Sequence, residues 1–397
     1  MATSQLALHG GTPVRKNLLP YGHQSIDRTD IEHVTSVLTG DWLTQGPTID
    51  EFEAAFAATI GRRYAVAFAN GTAALHGACY AAGLRPGDEA IVPAMTFAAT
   101  ANAAAYLRAK PVFADVDPTT GLLIPATLFG LTSSRTRAIL PVHYAGFPVA
   151  MTPVMEVAEK IGAVVIEDAC HALIATDRGR IAGTYGHLAC YSFHPVKPIT
   201  TGEGGMVVTD DKTYAERLRM FRTHGIVKEP SFADDVGGWY YEMRDLGYNY
   251  RMTDIQAALG LAQLKKLKAF LTARRRLAAI YDQAFADLPG VAFIAESEGV
   301  RSAYHLYPLL FAMDELTCDK KTLFAALRAE GIGVQVHYIP VNAQPYYRAA
   351  GYDPAQTPGA QAFYAREISL PLFAAMGESD ARDVVEAVHK VLAAFRR

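Results

Sequence analysis

The chain has 397 residues, half of them hydrophobic and 19% charged, with a formal net charge of −3. That composition suits a soluble globular protein with one large domain and a smaller one, and it excludes the basic field that nucleic acid or an anionic membrane surface demands. No apolar run approaches the roughly eighteen residues of a membrane span, and Met1-Ala2-Thr3-Ser4 opens no signal-like apolar core.

From residue 64 onward, short apolar runs alternate with helix-like stretches. Tyr64–Phe68 is followed by a helical pattern from Thr72 to Ala82, and Ala90–Val92 by Phe97 to Leu107. Pro111–Ala114 leads to a helix near Pro125 to Phe129, and Ala138–Val142 to a helix from Met151 to Ile161. Ala163–Ile166 then ends at Glu167-Asp168, and His187–Phe193 precedes a glycine-rich turn and the run Met206-Val207-Val208. Strands alternating with helices imply right-handed crossovers and a mainly parallel α/β sheet sandwiched by helices. Beyond Asn249 one helical pattern runs from Met252 to Leu288, with Arg274-Arg275-Arg276 expected on a solvated face. After Pro289-Gly290 come an expected strand (Tyr304 to Phe311), a helix (Lys320 to Glu330), a strand (Gly333 to Tyr338) and a last helix from about Ser379. The division expected is a large domain over 1–262, carrying an N-terminal arm, and a small α+β domain over 263–397. The four cysteines (Cys79, Cys170, Cys190, Cys318) show neither metal-ligand nor disulfide spacing. No metal is expected, and a reducing cytoplasm is.

The most informative run is Ser192 to Gly205. It places Lys197 between a strand end and a turn rich in small residues, a pattern that lets backbone approach a ligand closely. Asp168 ends another strand, and in parallel sheets such ends gather ligands. A buried carboxylate needs a cation, and a protonated pyridine nitrogen is a suitable one. A lysine in range of that carboxylate suits a Schiff base to pyridoxal 5'-phosphate. Asn70-Gly71-Thr72-Ala73 sits where a strand becomes a helix, so N–H groups of Gly71, Thr72 and Ala73 form an anion site, with the Ser192 hydroxyl as a second element. The same tetrapeptide by itself also reads as an ordinary N-cap. Phe97 follows the next strand, either flat on the cofactor ring or in the core. His171 either meets the ring hydroxyl or caps a turn.

The segments Asn70 to Leu75, Glu167 to Ala172, Ser192 to Gly205 and Gly247-Tyr248-Asn249-Tyr250-Arg251-Met252 resemble, in order, the DegT/DnrJ/EryC1/StrS family. Its members are pyridoxal-phosphate-dependent aminotransferases of nucleotide-linked keto sugars with the type I fold. The resemblance implies that Lys197 carries the Schiff base, that Asp168 holds the pyridine nitrogen, and that Ser192 and Gly71–Ala73 bind phosphate. Asn249 would reach the phosphate of a neighbouring subunit, making the active unit a homodimer. Glutamate is the amino donor that the family implies.

Further segments, Tyr21 to Asp27, Asp41 to Pro47 and His337-Tyr338-Ile339-Pro340-Val341, are similar to the branch serving pseudaminic acid biosynthesis. That branch aminates position 4 of UDP-2-acetamido-2,6-dideoxy-β-L-arabino-hex-4-ulose. Two departures stand out: Asn342-Ala343 in place of His-Leu, and Ile174 in place of glycine. Tyr21, Gln24, His337 and Tyr338 are the expected sugar-nucleotide contacts, and Lys228 is expected to neutralise a diphosphate. Each also reads as ordinary packing. The competing readings are an aminotransferase for another UDP- or dTDP-keto sugar, a sugar dehydratase on the same scaffold, or a non-catalytic regulator. Lys197 argues against the dehydratase, which carries histidine at that position.

Overall fold

The computed structural model describes residues 5–229, 231 and 236–397. Seven strands form the central sheet: β1 (Tyr64–Phe68), β2 (Glu89–Pro93), β3 (Lys110–Ala114), β4 (Thr136–Ile139), β5 (Val164–Asp168), β6 (Leu188–Ser192) and β7 (Gly205–Thr209). Their order is β1-β7-β6-β5-β4-β2-β3, and every neighbouring pair except those made by β7 is parallel. The expected mainly parallel sheet is therefore present. Its near-continuous apolar runs reflect helices packed on both faces.

Antiparallel β7 brings Gly205 beside Phe68 and Ser192 at one edge of the sheet. A Cβ on Gly205 would lie 2.4 Å from the Asn70 carbonyl oxygen, so only glycine admits this approach. The carboxyl ends of β1, β2, β5 and β6 meet at this edge.

The helix Asp254–Phe285 begins with a capping box, in which Thr253 and Gln256 satisfy each other's backbone N–H groups. It runs unbroken through residue 262, so the expected domain boundary falls within a continuous helix. Its C-terminal half buries Leu277, Tyr281 and Phe285 against a second core under a three-stranded antiparallel sheet. That sheet is β8 (Val291–Phe293), β9 (Tyr307–Phe311) and β10 (Glu367–Leu370). Helices Lys320–Ala329 and Glu378–Phe395 bury Leu323, Leu327, Val384 and Val388 in the same core. The N-terminal arm belongs to this core as well: Leu6 and Leu19 are buried in it, and Glu330 accepts the N–H groups of Ala7 and Val14.

The strand expected over Gly333–Tyr338 does not form. Gln335 makes one bridge to Ser369, after which the N–H of His337 goes to the Glu367 carboxylate and that of Tyr338 to Met95 Sδ. Side chains take the donors that a ladder would need. Arg274, expected on a solvated face, is 1% exposed. The helix turns that position inward among Leu277, Ala278 and Tyr281. Among the described residues no helix is long and apolar enough to cross a membrane.

Candidate active site

A cavity of about 700 Å³ opens at the carboxyl edge of the sheet. Asp168, the last residue of β5, reaches into it while 5% exposed. Its Oδ2 accepts from Thr100 Oγ1 at 2.7 Å and its Oδ1 from the Cys170 N–H at 3.2 Å. Thr96 Oγ1 lies 2.7 Å from Thr100 Oγ1 and extends the chain. Neither partner of the carboxylate is a cation. The Lys197 ammonium acts on it through space without a hydrogen bond, and a pyridinium nitrogen would supply a directly bonded cation.

Lys197 follows β6 in a turn closed by its own N–H to the His194 carbonyl (2.9 Å). Phe193 and Gly204 tie the two ends of that loop together (2.8 Å). The Lys197 ammonium lies 3.3 Å from His305 Nε2. Burial depresses the lysine to about 8; Cys170 and Asp168 oppose the shift and the Arg274 charge adds to it. His171, His305 and His337 surround the amine, and burial holds all three neutral, with His337 pushed down to about 3. A lysine near neutrality ringed by neutral imidazoles exchanges protons readily.

The helix Gly71–Ala81 starts at the cavity wall. Asn70 caps it by accepting the Ala73 N–H at 2.8 Å. Ala73 is thereby engaged, which leaves Gly71 and Thr72 with first-turn N–H groups that have no intrahelical acceptor. A Cβ on Gly71 would lie 2.9 Å from Ser192 Cβ, so the serine abuts the helix start. Helix terminus, serine, lysine and an aspartate hydrogen-bonded only to neutral donors together fit pyridoxal phosphate.

Phe97 is 58% exposed at the cavity wall, with its ring 5.8 Å from Tyr338, which leaves its face open to a ligand. His171 accepts the Ala145 N–H through Nδ1 (3.3 Å), and its Nε2 lies 3.1 Å from the Tyr338 hydroxyl. Tyr21 and His337 line the same space, ring centroids 5.4 Å apart. Gln24, Lys228 and Asn249 do not line the cavity of this chain; all three are exposed, and Asn249 pairs with Thr223. Asn342 is buried, donates to Thr357 Oγ1 (2.9 Å) and stays out of the cavity. Ile174 holds φ +57°, a left-handed conformation that costs a β-branched residue about 1–2 kcal/mol.

Sequence reasoning missed His305, Thr96, Thr100, Glu203 and Tyr250, which also line the cavity. Thr96 and Thr100 stand four apart around a helix start, a visible spacing that had no meaning until Asp168 was placed beside it. Arg274 was missed as a structural element. Its Nη1 donates to the carbonyls of Tyr304 (3.3 Å), His305 (3.2 Å) and Leu372 (2.8 Å), and its Nη2 to Val196 (3.3 Å).

Residues 24–389 match the DegT/DnrJ/EryC1/StrS aminotransferase family. The chain is 39% identical over 381 residues to the spore coat polysaccharide biosynthesis protein SpsC of Bacillus subtilis, covering 95% of this chain and 98% of SpsC. Among solved structures it resembles Helicobacter pylori PseC, an aminotransferase of pseudaminic acid biosynthesis. The TM-score is 0.89 and the identity 33%, over 96% of this chain and all of PseC. It also resembles Spr1654 of Streptococcus pneumoniae, a proposed sugar aminotransferase solved in its pyridoxamine phosphate form. There the TM-score is 0.90 and the identity 28%, over 95% and 99% of the two chains.

Proposed function

The chain belongs to the DegT/DnrJ/EryC1/StrS aminotransferase family, a pyridoxal-phosphate-dependent nucleotide-sugar aminotransferase of the type I fold, and from that premise we propose its reaction. The enzyme moves an amino group from L-glutamate to the 4-keto carbon of a nucleotide-linked 4-keto-6-deoxy sugar. The sugar we propose is UDP-2-acetamido-2,6-dideoxy-β-L-arabino-hex-4-ulose, on the route to pseudaminic acid; the likeness to PseC supports it. The observation that carries the reading is the convergence in one cavity of Lys197 and the Asp168 carboxylate, whose hydrogen-bond partners are both neutral.

When bound, pyridoxal phosphate supplies an electron-withdrawing ring that lets a proton leave the carbon bearing the amino nitrogen. Asp168, oriented by Thr100 and the Cys170 N–H, would keep the ring nitrogen in its charged form. Gly71, Thr72 and Ser192 would hold the phosphate, and Phe97 would offer the ring its open face. Lys197, depressed to about 8, is roughly one-tenth unprotonated at pH 7 and more so above it, so its amine removes the proton from the donor carbon in the glutamate half-reaction and delivers one to the acceptor carbon in the sugar half-reaction. His305 accepts a hydrogen bond from that amine and keeps it aimed. Tyr21, His337 and Tyr338 face the sugar.

Asn249 and Lys228 serve the cavity of a second copy, making the active unit a homodimer. Exposed Trp42, Leu43, Trp239, Met243 and Leu246, several of them close to Asn249 in sequence, support such a contact. All four thiols are unpaired, which supports a reducing, cytoplasmic setting. The test is incubation with cofactor, glutamate and a panel of 4-keto-6-deoxy nucleotide sugars. Mass and NMR identification of a 4-amino sugar is the expected result, and a panel left unaminated rejects the proposal.

A further inference from the structure

Strand β10 places Glu367 and Ser369 two residues apart and therefore on one face, and both are fully buried. Glu367 Oε1 accepts the Ser369 hydroxyl proton at 2.5 Å, and Glu367 Oε2 accepts the His337 N–H at 2.9 Å. Ser369 Oγ lies 2.9 Å from His337 Nδ1. A hydroxyl has one proton to give, and here it goes to the carboxylate. Toward His337 the serine oxygen therefore presents only lone pairs, so Nδ1 must carry the hydrogen. The ring is neutral, held so by burial, so Nε2 keeps its lone pair. Nε2 is the nitrogen left to the cavity that His337 lines. The opposite tautomer would turn the serine proton toward His337 and strip a buried carboxylate oxygen of its donor.

We propose that the buried Glu367–Ser369 pair fixes His337 as a hydrogen-bond acceptor in the cavity, so that these two positioning residues select a hydroxyl or amide N–H on the sugar nucleotide. The proposal rests on the reading of the cavity as a nucleotide-sugar site. It adds to that reading the polarity of one contact and the two residues that set it.

The test is ¹⁵N-histidine NMR of the holoenzyme, with the His337 signals assigned by their loss in His337→Gln. Burial pushes Glu367 above the ordinary carboxylate range, against its hydrogen bonds to Ser369 and His337 and the charge of Lys320. Spectra are therefore recorded on the alkaline side of its titration. The unaltered enzyme should show the proton on Nδ1. In Glu367→Gln the amide oxygen stays on the His337 N–H and the NH₂ group faces Ser369. The hydroxyl must then donate to Nδ1, and the proton should appear on Nε2. Ser369→Thr keeps the hydroxyl and should keep the original tautomer.

In kinetics, Glu367→Gln should raise KM for the keto sugar roughly tenfold, the scale of one inverted hydrogen bond, with kcat changed less and the glutamate half-reaction unchanged. A proton on Nε2 in the unaltered enzyme, or one tautomer shared with Glu367→Gln, overturns the assignment. Equal losses in both half-reactions overturn the role in sugar selection. Unaltered enzyme that aminated no keto sugar would overturn the reading of the cavity itself, and the spectrum separates the two failures.

Discussion

Lys197 Nζ stands 3.3 Å from His305 Nε2, an acceptor contributed by the loop that enters β9. A neutral imidazole accepting from an ammonium favours the charged lysine, in part offsetting the burial that depresses it to about 8. His305→Phe removes the acceptor and should move the lysine further down. In enzyme freed of cofactor, the pH dependence of Lys197 modification by an amine reagent should show a midpoint near 8, and a lower one in His305→Phe. Lys197→Ala should lose the cofactor-linked absorbance and roughly 10⁴-fold or more in turnover. A midpoint in the ordinary lysine range, above 10, would contradict the desolvated amine.

In the proposed reaction, turnover also depends on the hydrogen-bonded pair Asp168 and Thr100. Asp168→Asn leaves a neutral amide where the cofactor's ring nitrogen needs a charge, and kcat/KM should fall by roughly 10²–10³-fold, the scale of a lost buried ion pair. Thr100→Val keeps the charge and removes the 2.7 Å hydrogen bond to Asp168 together with the one to Thr96; only the first touches the carboxylate, at about 1 kcal/mol, so the loss in kcat/KM should be roughly fivefold. Steady-state kinetics on both variants decides the order. Equal losses would mean that orientation, not charge, is what Asp168 contributes.

Lys197, Asp168, Ser192 and Gly71-Thr72 are legible in sequence because each follows an apolar run ending at the same sheet edge, a position that parallel topology makes functional. His305 and the Glu367–Ser369 pair are not legible in that way, and His337 is legible only through the family resemblance. They come from loops and an edge strand some hundred residues downstream, and only the tertiary fold brings them together. Arg274 shows the opposite failure: three consecutive arginines read as a charged surface, yet a helix turns one residue in three or four toward the core. Gly333–Tyr338 looks like a strand by composition, but its donors are claimed by Glu367 and Met95. Propensity gave way to side-chain chemistry there.

Glu167, next to Asp168 in sequence and fully buried, makes acid stability testable. Burial raises its proton affinity, but the His143 hydrogen bond and charge and the N–H groups of Gly186 and Gly183 outweigh that, so its folded value lies below the ordinary one. A carboxylate depressed on folding stabilises the protein above its unfolded value, about 4.3, and that contribution disappears as pH falls through the folded value. Glu167→Gln places an NH₂ group among converging donors and should cost about 3 kcal/mol at neutral pH. Its Tm should also vary less with pH on the acid side than that of the parent. Thermal melts across the acid range check both; parallel curves would mean that Glu167 does not carry the acid sensitivity.

Arg274 links the segment before Lys197 to the His305 loop and to Leu372 through one guanidinium, which burial lowers to about 10 while leaving it charged at neutral pH. Arg274→Met has similar length and no donors. It should leave these carbonyls without their donor and cost about 3 kcal/mol. Arg274→Lys keeps the charge but lacks the planar fork, so it should recover less than half of that. Loss of stability alone would follow from many buried substitutions. The discriminating quantity is the Lys197 titration, because the Arg274 charge is one of the influences that hold the amine down. Removing that charge should raise the midpoint of Lys197 in Arg274→Met, whereas Arg274→Lys, still cationic, should leave it near 8. A midpoint that moved equally in both variants would trace the shift to disturbed packing instead of to charge.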